Sequence, residues 1–213
     1  MSSYGTMEPM ESMESMESMK TIGIFLFDDV EELDAVGPWE VLANWTQNWP
    51  EDGWQVVNFS RALPEVRCAK GLTIRADFDW NTVPPLDVLV FPGGQGTRKL
   101  LDDPTVLDWV RQLRGDETLM TSVCTGSLVY AAAGILAGRA ATTYWNALDL
   151  LAQLDPAIDV RRNDRWVDSG EVITASGVSA GIDMALHLVR RLAGDERARQ
   201  VRRAIQYDPA PPV

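Results

Sequence analysis

The chain has 213 residues and a formal net charge of −12, with 19 Lys and Arg residues against 31 Asp and Glu residues. A chain this acidic, without a basic stripe, repels phosphate backbones and anionic lipid surfaces, so we expect no nucleic-acid or membrane partner. It contains one histidine and two cysteines, Cys68 and Cys124, which lie far apart in the sequence. This composition excludes a disulfide framework, a CxxC zinc site and a metal site built on several histidines of one chain, and we expect no cofactor.

The N-terminal segment is acidic and low in complexity. Residues 7–19 repeat Met-Glu-Ser after one Met-Glu-Pro unit, and the segment carries four acids and no base before Lys20. It has too few large apolar residues to fold, and it lacks the basic and apolar regions of a signal peptide. We therefore predict a disordered, dispensable tail at 1–19 and a single domain at 20–213.

Apolar runs and helical periodicity alternate along the rest of the chain. We predict strands at 21–27, 54–60, 87–91 and 119–123 and hairpins at 66–75 and 165–175. We predict helices that start at 37, 103, 125, 146, 179 and 196, of which the first ends at 43 and the third at 136. Strands that are apolar on both faces and alternate with helices predict a parallel sheet covered on both sides. The uncharged stretch 118–138 is interrupted by Thr, Ser and Gly, so we interpret it as a strand, a turn and a helix and expect a cytoplasmic protein. His187 lies in an apolar helical run and is assigned to a packing or surface role.

The segment around Cys124 has the pattern of a nucleophile on a tight turn between a strand and a helix. The helix N-terminus is expected to lower the pKa of the thiol, and the N–H of Thr125 is placed to hold a developing anion. The small residue Gly126 permits close packing against the sheet. The alternative is a buried structural cysteine, because unpaired cysteines are among the most buried residues.

Two other segments follow predicted strands and carry candidate functional groups. The loop Pro92-Gly93-Gly94-Gln95-Gly96 fails the dinucleotide fingerprint, because Lys99 occupies the place of its last glycine. We expect the N–H of Gly94 to face Cys124, with a plain tight turn as the alternative. Asp34 lies on the apolar approach to the first helix, where a partly buried carboxyl group would have a raised pKa and share a proton with a thiolate. A helix N-terminal acid is the alternative there.

Three motifs in order make the chain resemble the ThiJ/PfpI superfamily. They are FDDVEELDAVGPWEVL at 27–42, PGG at 92–94 and SVCTGS at 122–127. Within the superfamily the chain is most similar to isonitrile (isocyanide) hydratases. That narrower resemblance rests on TSVCTGSL at 121–128, GRAATT at 138–143, SAGID at 179–183 and YDPAPP at 207–212.

The resemblance implies a flavodoxin-like (Rossmann-like) α/β domain of the class I glutamine amidotransferase-like type, assembled as a homodimer and acting on a small molecule. Carried over by motif, Cys124 is the nucleophile and Asp34 its acidic partner, and the N–H groups of Gly94 and Thr125 form the anion-binding pair. The implied activity is that of a lyase, which hydrates an isonitrile to an N-substituted formamide through a cysteine thioimidate.

Two other functions stay open. One is a cysteine-based stress protein, acting by redox sensing or on glyoxals, and the other is a ligand-binding domain without chemistry, related to AraC-type regulators. Tyr144 stands where many relatives have a histidine after Thr-Thr, and a phenol with a reference pKa of ~10 is no base near neutral pH. Trp39 and Tyr144 are the candidate pocket residues.

Overall fold

A seven-stranded sheet with helices on both faces forms the fold of this computed structural model, which describes residues 19–62 and 64–210. The strands are β1 (Lys20–Leu26), β2 (Trp54–Ser60), β3 (Glu65–Arg67), β4 (Thr73–Arg75), β5 (Phe78–Asp79), β6 (Val88–Phe91), β7 (Leu119–Val123), β8 (Ala140–Ala141), β9 (Asp159–Val160), β10 (Trp166–Asp168) and β11 (Val172–Ala175). The helices are α1 (Glu32–Asn48), α2 (Thr97–Leu100), α3 (Pro104–Gly115), α4 (Gly126–Ala132), α5 (Leu148–Leu154), α6 (Ala180–Ala193) and α7 (Asp195–Ala204). Short 3-10 helices occupy Pro50–Asp52 and Trp145–Ala147.

The main sheet is parallel except at one edge. Its order is β10-β11-β7-β6-β1-β2-β5, and only β10 runs antiparallel to its neighbour. Strands β6 and β11 are buried along their whole length, and β1 is buried after its first residue. Helices α1, α6 and α7 pack together, as do α3, α4 and α5. These two groups cover the faces of the sheet, which confirms the predicted α/β class.

Several local predictions are confirmed because they rest on short-range signals. The hairpins β3–β4 and β10–β11 form where turn residues separate apolar runs. Asp103 caps α3, and its carboxylate accepts hydrogen bonds from the N–H groups of Thr105 at 2.9 Å and Val106 at 3.4 Å. The following Pro104 occupies the first helical position, where a missing N–H costs nothing.

Three predicted helix boundaries are wrong. Helix α1 spans Glu32–Asn48 instead of 37–43, so Pro38 lies inside the helix instead of in its first turn. The proline removes the hydrogen bond to the Asp34 carbonyl, but burial of Val41, Leu42 and Trp45 against the core holds the helix together. Helix α4 ends at Ala132 instead of 136, because the chain turns into the left-handed region at Gly134, where φ is +75°.

Sequence patterns missed the shortest elements, which are α2, β5 and the β8–β9 pair. Segments of two to four residues carry too little periodicity to be recognised. The predicted tail falls almost wholly outside the described residues, which begin at Met19. Within the described ranges, no helix is both long and apolar enough to cross a bilayer.

Candidate active site

The carboxyl ends of four neighbouring strands bring the candidate residues together. Gly93 follows β6, Cys124 follows β7 and Val178 follows β11, while Asp34 lies in the first turn of the helix after β1. Strand order reverses between β1 and β6, and ligands of open α/β sheets bind in the crevice at such a switch point. The fold therefore places Asp34 and Cys124 at the position where chemistry is expected.

Cys124 occupies the strained turn that the sequence predicted. Its φ is +55°, in the left-handed region, which costs a residue with a side chain about 1–2 kcal/mol. Its N–H donates to the carbonyls of Ala175 at 3.1 Å and Ser176 at 3.0 Å. Its carbonyl accepts from the hydroxyls of Thr143 at 2.8 Å and Ser127 at 3.1 Å. Hydrogen bonds on both sides of the residue hold the strained conformation.

Two glycines permit the close approach of the β6 loop to this turn. A Cβ atom on Gly93 would lie 2.5 Å from the Thr125 nitrogen, and one on Gly126 would lie 2.2 Å from the Phe91 carbonyl oxygen. Both separations are far below van der Waals contact. Any side chain at either position would push the Gly93 loop away from Cys124.

Asp34 is fully buried beside Cys124. Its Oδ2 accepts a hydrogen bond from the N–H of Gly93 at 2.9 Å. Its Oδ1 is buried and accepts no hydrogen bond of ordinary geometry from the described residues. The thiol of Cys124 lies beside this carboxyl group and interacts with it. One carboxyl oxygen is thus anchored, and the other is free for the thiol or a bound substrate.

The two groups titrate as a pair. Burial, with a smaller effect of the Glu31 charge, raises the pKa of Asp34 to about 7. Burial and repulsion by the Asp34 carboxylate raise the pKa of Cys124 to about 12. The higher value reflects the cost of placing a second negative charge in one buried site. Above pH 7 the pair therefore holds one proton and one negative charge.

Hydrogen-bond donors act on both atoms that compete for that charge. The N–H groups of Thr125 and Val178 lie at the Cys124 sulfur and favour its thiolate, whereas a single N–H, that of Gly93, donates to the carboxyl group of Asp34. The ordinary pKa of a carboxyl group, 3.8, lies far below that of a thiol, 9.0, and one additional donor does not offset that difference, so above pH 7 the charge lies on Asp34 and the proton on Cys124. The N–H groups at the sulfur lower the thiol pKa as predicted, but burial and the Asp34 charge outweigh them, so the pKa of Cys124 is raised.

The N–H groups of Gly94 and Thr125, which were predicted to form an anion-binding pair, have different neighbours in the structure. The N–H of Gly94 donates to the Thr125 hydroxyl at 3.0 Å, and the carbonyl of Gly94 accepts from the Thr97 hydroxyl at 2.7 Å. Gly94 thus fixes Thr125, while Val178 supplies the second N–H at the sulfur. Val178 has a φ of +47°, an outlier for a β-branched residue, and no local pattern in the sequence signals it.

The candidate pocket residues separate in the structure. The ring of Tyr144 lies against Gly177, where a Cβ atom would be 2.5 Å from the ring, so it borders the loop that carries Val178. Trp39 lines a different cavity, of about 280 Å³, between α1, β1 and β4, and neither Asp34 nor Cys124 lines that cavity. Trp39 lies on the face of α1 that borders this cavity, and not at the turn that carries Cys124.

His187 belongs to a polar cluster outside this site. Its Nε2 lies 2.8 Å from the carboxylate of Asp168, and its ring packs against Trp166. In the part of the chain that the structure describes, no group of three or more His, Cys, Asp or Glu side chains is arranged to hold a metal ion.

Comparison with known proteins agrees with this geometry. The sequence matches the DJ-1/PfpI family over residues 20–191. The chain belongs to the DJ-1/PfpI family. It is 40% identical over 191 residues to isonitrile hydratase of Pseudomonas putida, covering 90% of this chain and 80% of that relative. It is 28% identical over 181 residues to the glutathione-independent glyoxalase DJR-1.2 of Caenorhabditis elegans, covering 82% of this chain and 89% of that one.

A solved structure extends the family likeness over nearly the whole chain. The ThiJ/PfpI family protein from Pseudomonas syringae superposes with a TM-score of 0.82 at 30% identity, covering 98% of this chain and 84% of that chain. The resemblance that three short motifs indicated is therefore shown for both sequence and fold.

The raised pKa of Asp34 predicts how stability depends on pH. The folded value of about 7 lies above the ordinary 3.8, so the protein loses stability as pH rises from about 4 through about 7. The Asp34→Asn variant keeps an oxygen for the Gly93 N–H but has no charge to bury. Its free energy of unfolding, relative to the parent, should rise by about 2 kcal/mol between pH 5.5 and pH 8.5. Urea unfolding at both pH values measures this difference, and a constant difference would show that the carboxyl group is not perturbed.

Proposed function

We propose that this protein hydrates an isonitrile, R–N≡C, to an N-substituted formamide. The observation that carries the proposal is the buried pair of Asp34 and Cys124, which holds one proton between a nucleophile and an acid. The 40% identity to isonitrile hydratase of Pseudomonas putida supports the same substrate class. An isonitrile carbon needs both a nucleophile and a proton, and the pair offers the two together.

The first step forms a covalent bond to sulfur. The Asp34 carboxylate takes the thiol proton of Cys124 as the sulfur attacks the terminal carbon of the isonitrile, and this proton then passes from Asp34 to that carbon. The product is a thioimidate, R–N=CH–S–Cys124, and Asp34 is left as a carboxylate. The N–H groups of Thr125 and Val178 hold the sulfur in place before the attack.

The second step consumes water and regenerates the thiolate. The Asp34 carboxylate takes a proton from water as the oxygen adds to the thioimidate carbon, and it passes this proton to the nitrogen, which gives the tetrahedral R–NH–CH(OH)–S–Cys124. Asp34 then takes the hydroxyl proton as collapse expels the sulfur and releases R–NH–CHO, and this proton stays in the Asp34–Cys124 pair for the next cycle. Isonitrile and water are the only reactants consumed. Positioned acid–base help of this kind contributes about 10²–10⁴-fold to the rate.

Turnover of a simple isonitrile tests the proposal. Purified protein should form formamide in proportion to the isonitrile consumed, as measured by chromatography with mass detection. Cys124→Ala should fall to background, and Asp34→Asn should lose at least about 10²-fold in kcat. The matched controls are Cys68→Ala, at a buried cysteine outside the site, and Asp28→Asn, at an exposed acid, and both should keep the parent rate. Full turnover by Cys124→Ala would refute the covalent mechanism.

Carbonyl chemistry is the second candidate, because one relative is named as a glyoxalase. The same thiolate and acid suit addition of sulfur to the aldehyde of methylglyoxal. Lactate formed from methylglyoxal without isonitrile turnover would favour this function. Turnover of neither compound would favour a ligand-binding domain without chemistry. Cys124 is 5% exposed, which disfavours a freely accessible redox sensor.

We also propose that the protein is a homodimer. Leu33, Val36 and Leu72 are 37%, 39% and 49% exposed, and Val36 also lines the cavity that Trp39 lines. Leu33 and Val36 lie on α1, and Leu72 lies between β3 and β4. The Leu72 N–H donates to the Glu32 carboxylate at 3.4 Å and so joins the hairpin to the helix. Exposed apolar residues of this kind suit burial in a two-fold interface.

A charge in this patch should separate the protomers. Leu72→Lys places a cation on both sides of a two-fold axis, so light scattering at micromolar concentration should shift from dimer to monomer mass. Leu150→Lys, at an equally apolar residue that is 37% exposed on α5, is the matched control and should stay dimeric. A parent protein of monomer mass would contradict the proposed assembly.

A further inference from the structure

The loop between β11 and α6 places the Val178 N–H at the Cys124 sulfur. Arg165 makes hydrogen bonds at both ends of this loop. The carbonyl of Arg165 accepts from the N–H of Ser176 at 2.8 Å, just before the loop. The guanidinium of Arg165 reaches the Ser179 hydroxyl at 3.4 Å, just after it. A single residue thus holds both ends of the segment that contains Val178.

Asp183, in the first turn of α6, is the partner that fixes Arg165. The Nε of Arg165 donates to its Oδ2 at 2.6 Å, and the Tyr207 hydroxyl donates to its Oδ1 at 2.9 Å. The Asp183 side chain is 14% exposed, so both oxygens are committed to these partners with little competing water. The Nε of Arg202 donates to the Tyr207 carbonyl at 3.1 Å and holds the tyrosine in place.

We propose that Arg165, Asp183 and Tyr207 form a clamp that positions the Val178 N–H against the Cys124 sulfur. These are positioning residues, and none of them lies at the sulfur itself. The clamp is needed because Val178 adopts a positive φ that a β-branched residue avoids, and a free loop would leave that conformation. Loss of the clamp removes one of the two N–H donors to the thiolate and leaves Asp34 and Cys124 in place.

The inference deepens the proposed function, because it concerns the same thiolate, but its test needs no isonitrile. Iodoacetamide is neutral and alkylates thiolates, so its rate at Cys124 reports how well the sulfur anion is stabilised. A hydrogen bond to a charged group accounts for about tenfold in such an equilibrium. Asp183→Asn and Tyr207→Phe should therefore each slow alkylation of Cys124 at pH 8 by about fivefold to tenfold. Peptide mass mapping measures the rate at each cysteine separately.

Two internal controls separate positioning from general loosening. Cys68 is buried in the hairpin region, so its alkylation should stay at the parent rate unless the whole protein loosens. Arg162→Gln breaks an exposed Arg–Asp pair with Asp149 on a neighbouring segment and should leave both cysteines unchanged. Tyr207→Phe removes a single hydroxyl and is the variant least prone to misfold. With isonitrile as substrate, kcat should fall in the clamp variants while KM is unchanged.

The outcomes are distinct. Slower alkylation at Cys124 with unchanged Cys68 supports the clamp. A Cys124 rate within about twofold of the parent in both Asp183→Asn and Tyr207→Phe, or a parallel rise at Cys68, overturns it. If the parent hydrates no isonitrile while the alkylation pattern is as expected, the proposed function fails and the clamp stands.

Discussion

The negative charge shared by Asp34 and Cys124 lies where water hardly reaches it, and the rest of the site depends on that constraint. Asp34 is 0% exposed and Cys124 5% exposed, so neither group is solvated as it would be on the surface. The protein replaces water with three N–H groups, from Gly93, Thr125 and Val178. Each donor follows a different strand, so only the assembled sheet brings them together. The parallel arrangement of these strands at the switch point therefore brings the donors to the site that activates the sulfur.

The active site contains strained and buried groups that favour reactivity but lower the stability of the folded protein. Cys124 and Val178 both adopt positive φ, and a buried carboxyl group that ionises near pH 7 destabilises the folded state. Fully buried apolar strands on either side of the site supply the free energy that offsets these costs. The same packing excludes water from the thiolate, so the site favours attack on a small bound molecule over oxidation from solvent.

Local sequence signals predicted the parts of the site that local chemistry determines. The strand, turn and helix around Cys124 follow from an apolar run, a small residue and a helical period. Asp34 was predicted to be partly buried from its apolar neighbours, and it is fully buried in the first turn of α1. The donor from Val178 was missed, because it depends on a loop after a distant strand and on a φ that its residue type avoids. Gly94 was assigned to the sulfur, yet its N–H is directed to the Thr125 hydroxyl. Which of two adjacent glycines faces a group depends on tertiary contacts that spacing does not encode.

We infer that Asp34 and Cys124 share one proton at neutral pH, with the charge on Asp34 and the proton on the sulfur. Thiolate ultraviolet absorbance, measured against pH as the difference between the parent and Cys124→Ser, tests this directly. We expect no thiolate at Cys124 as the pair first ionises near pH 7, and a thiolate signal only towards the second ionisation, at about pH 12. One equivalent of thiolate at Cys124 that appears near pH 7 would place the charge on the sulfur and contradict this assignment.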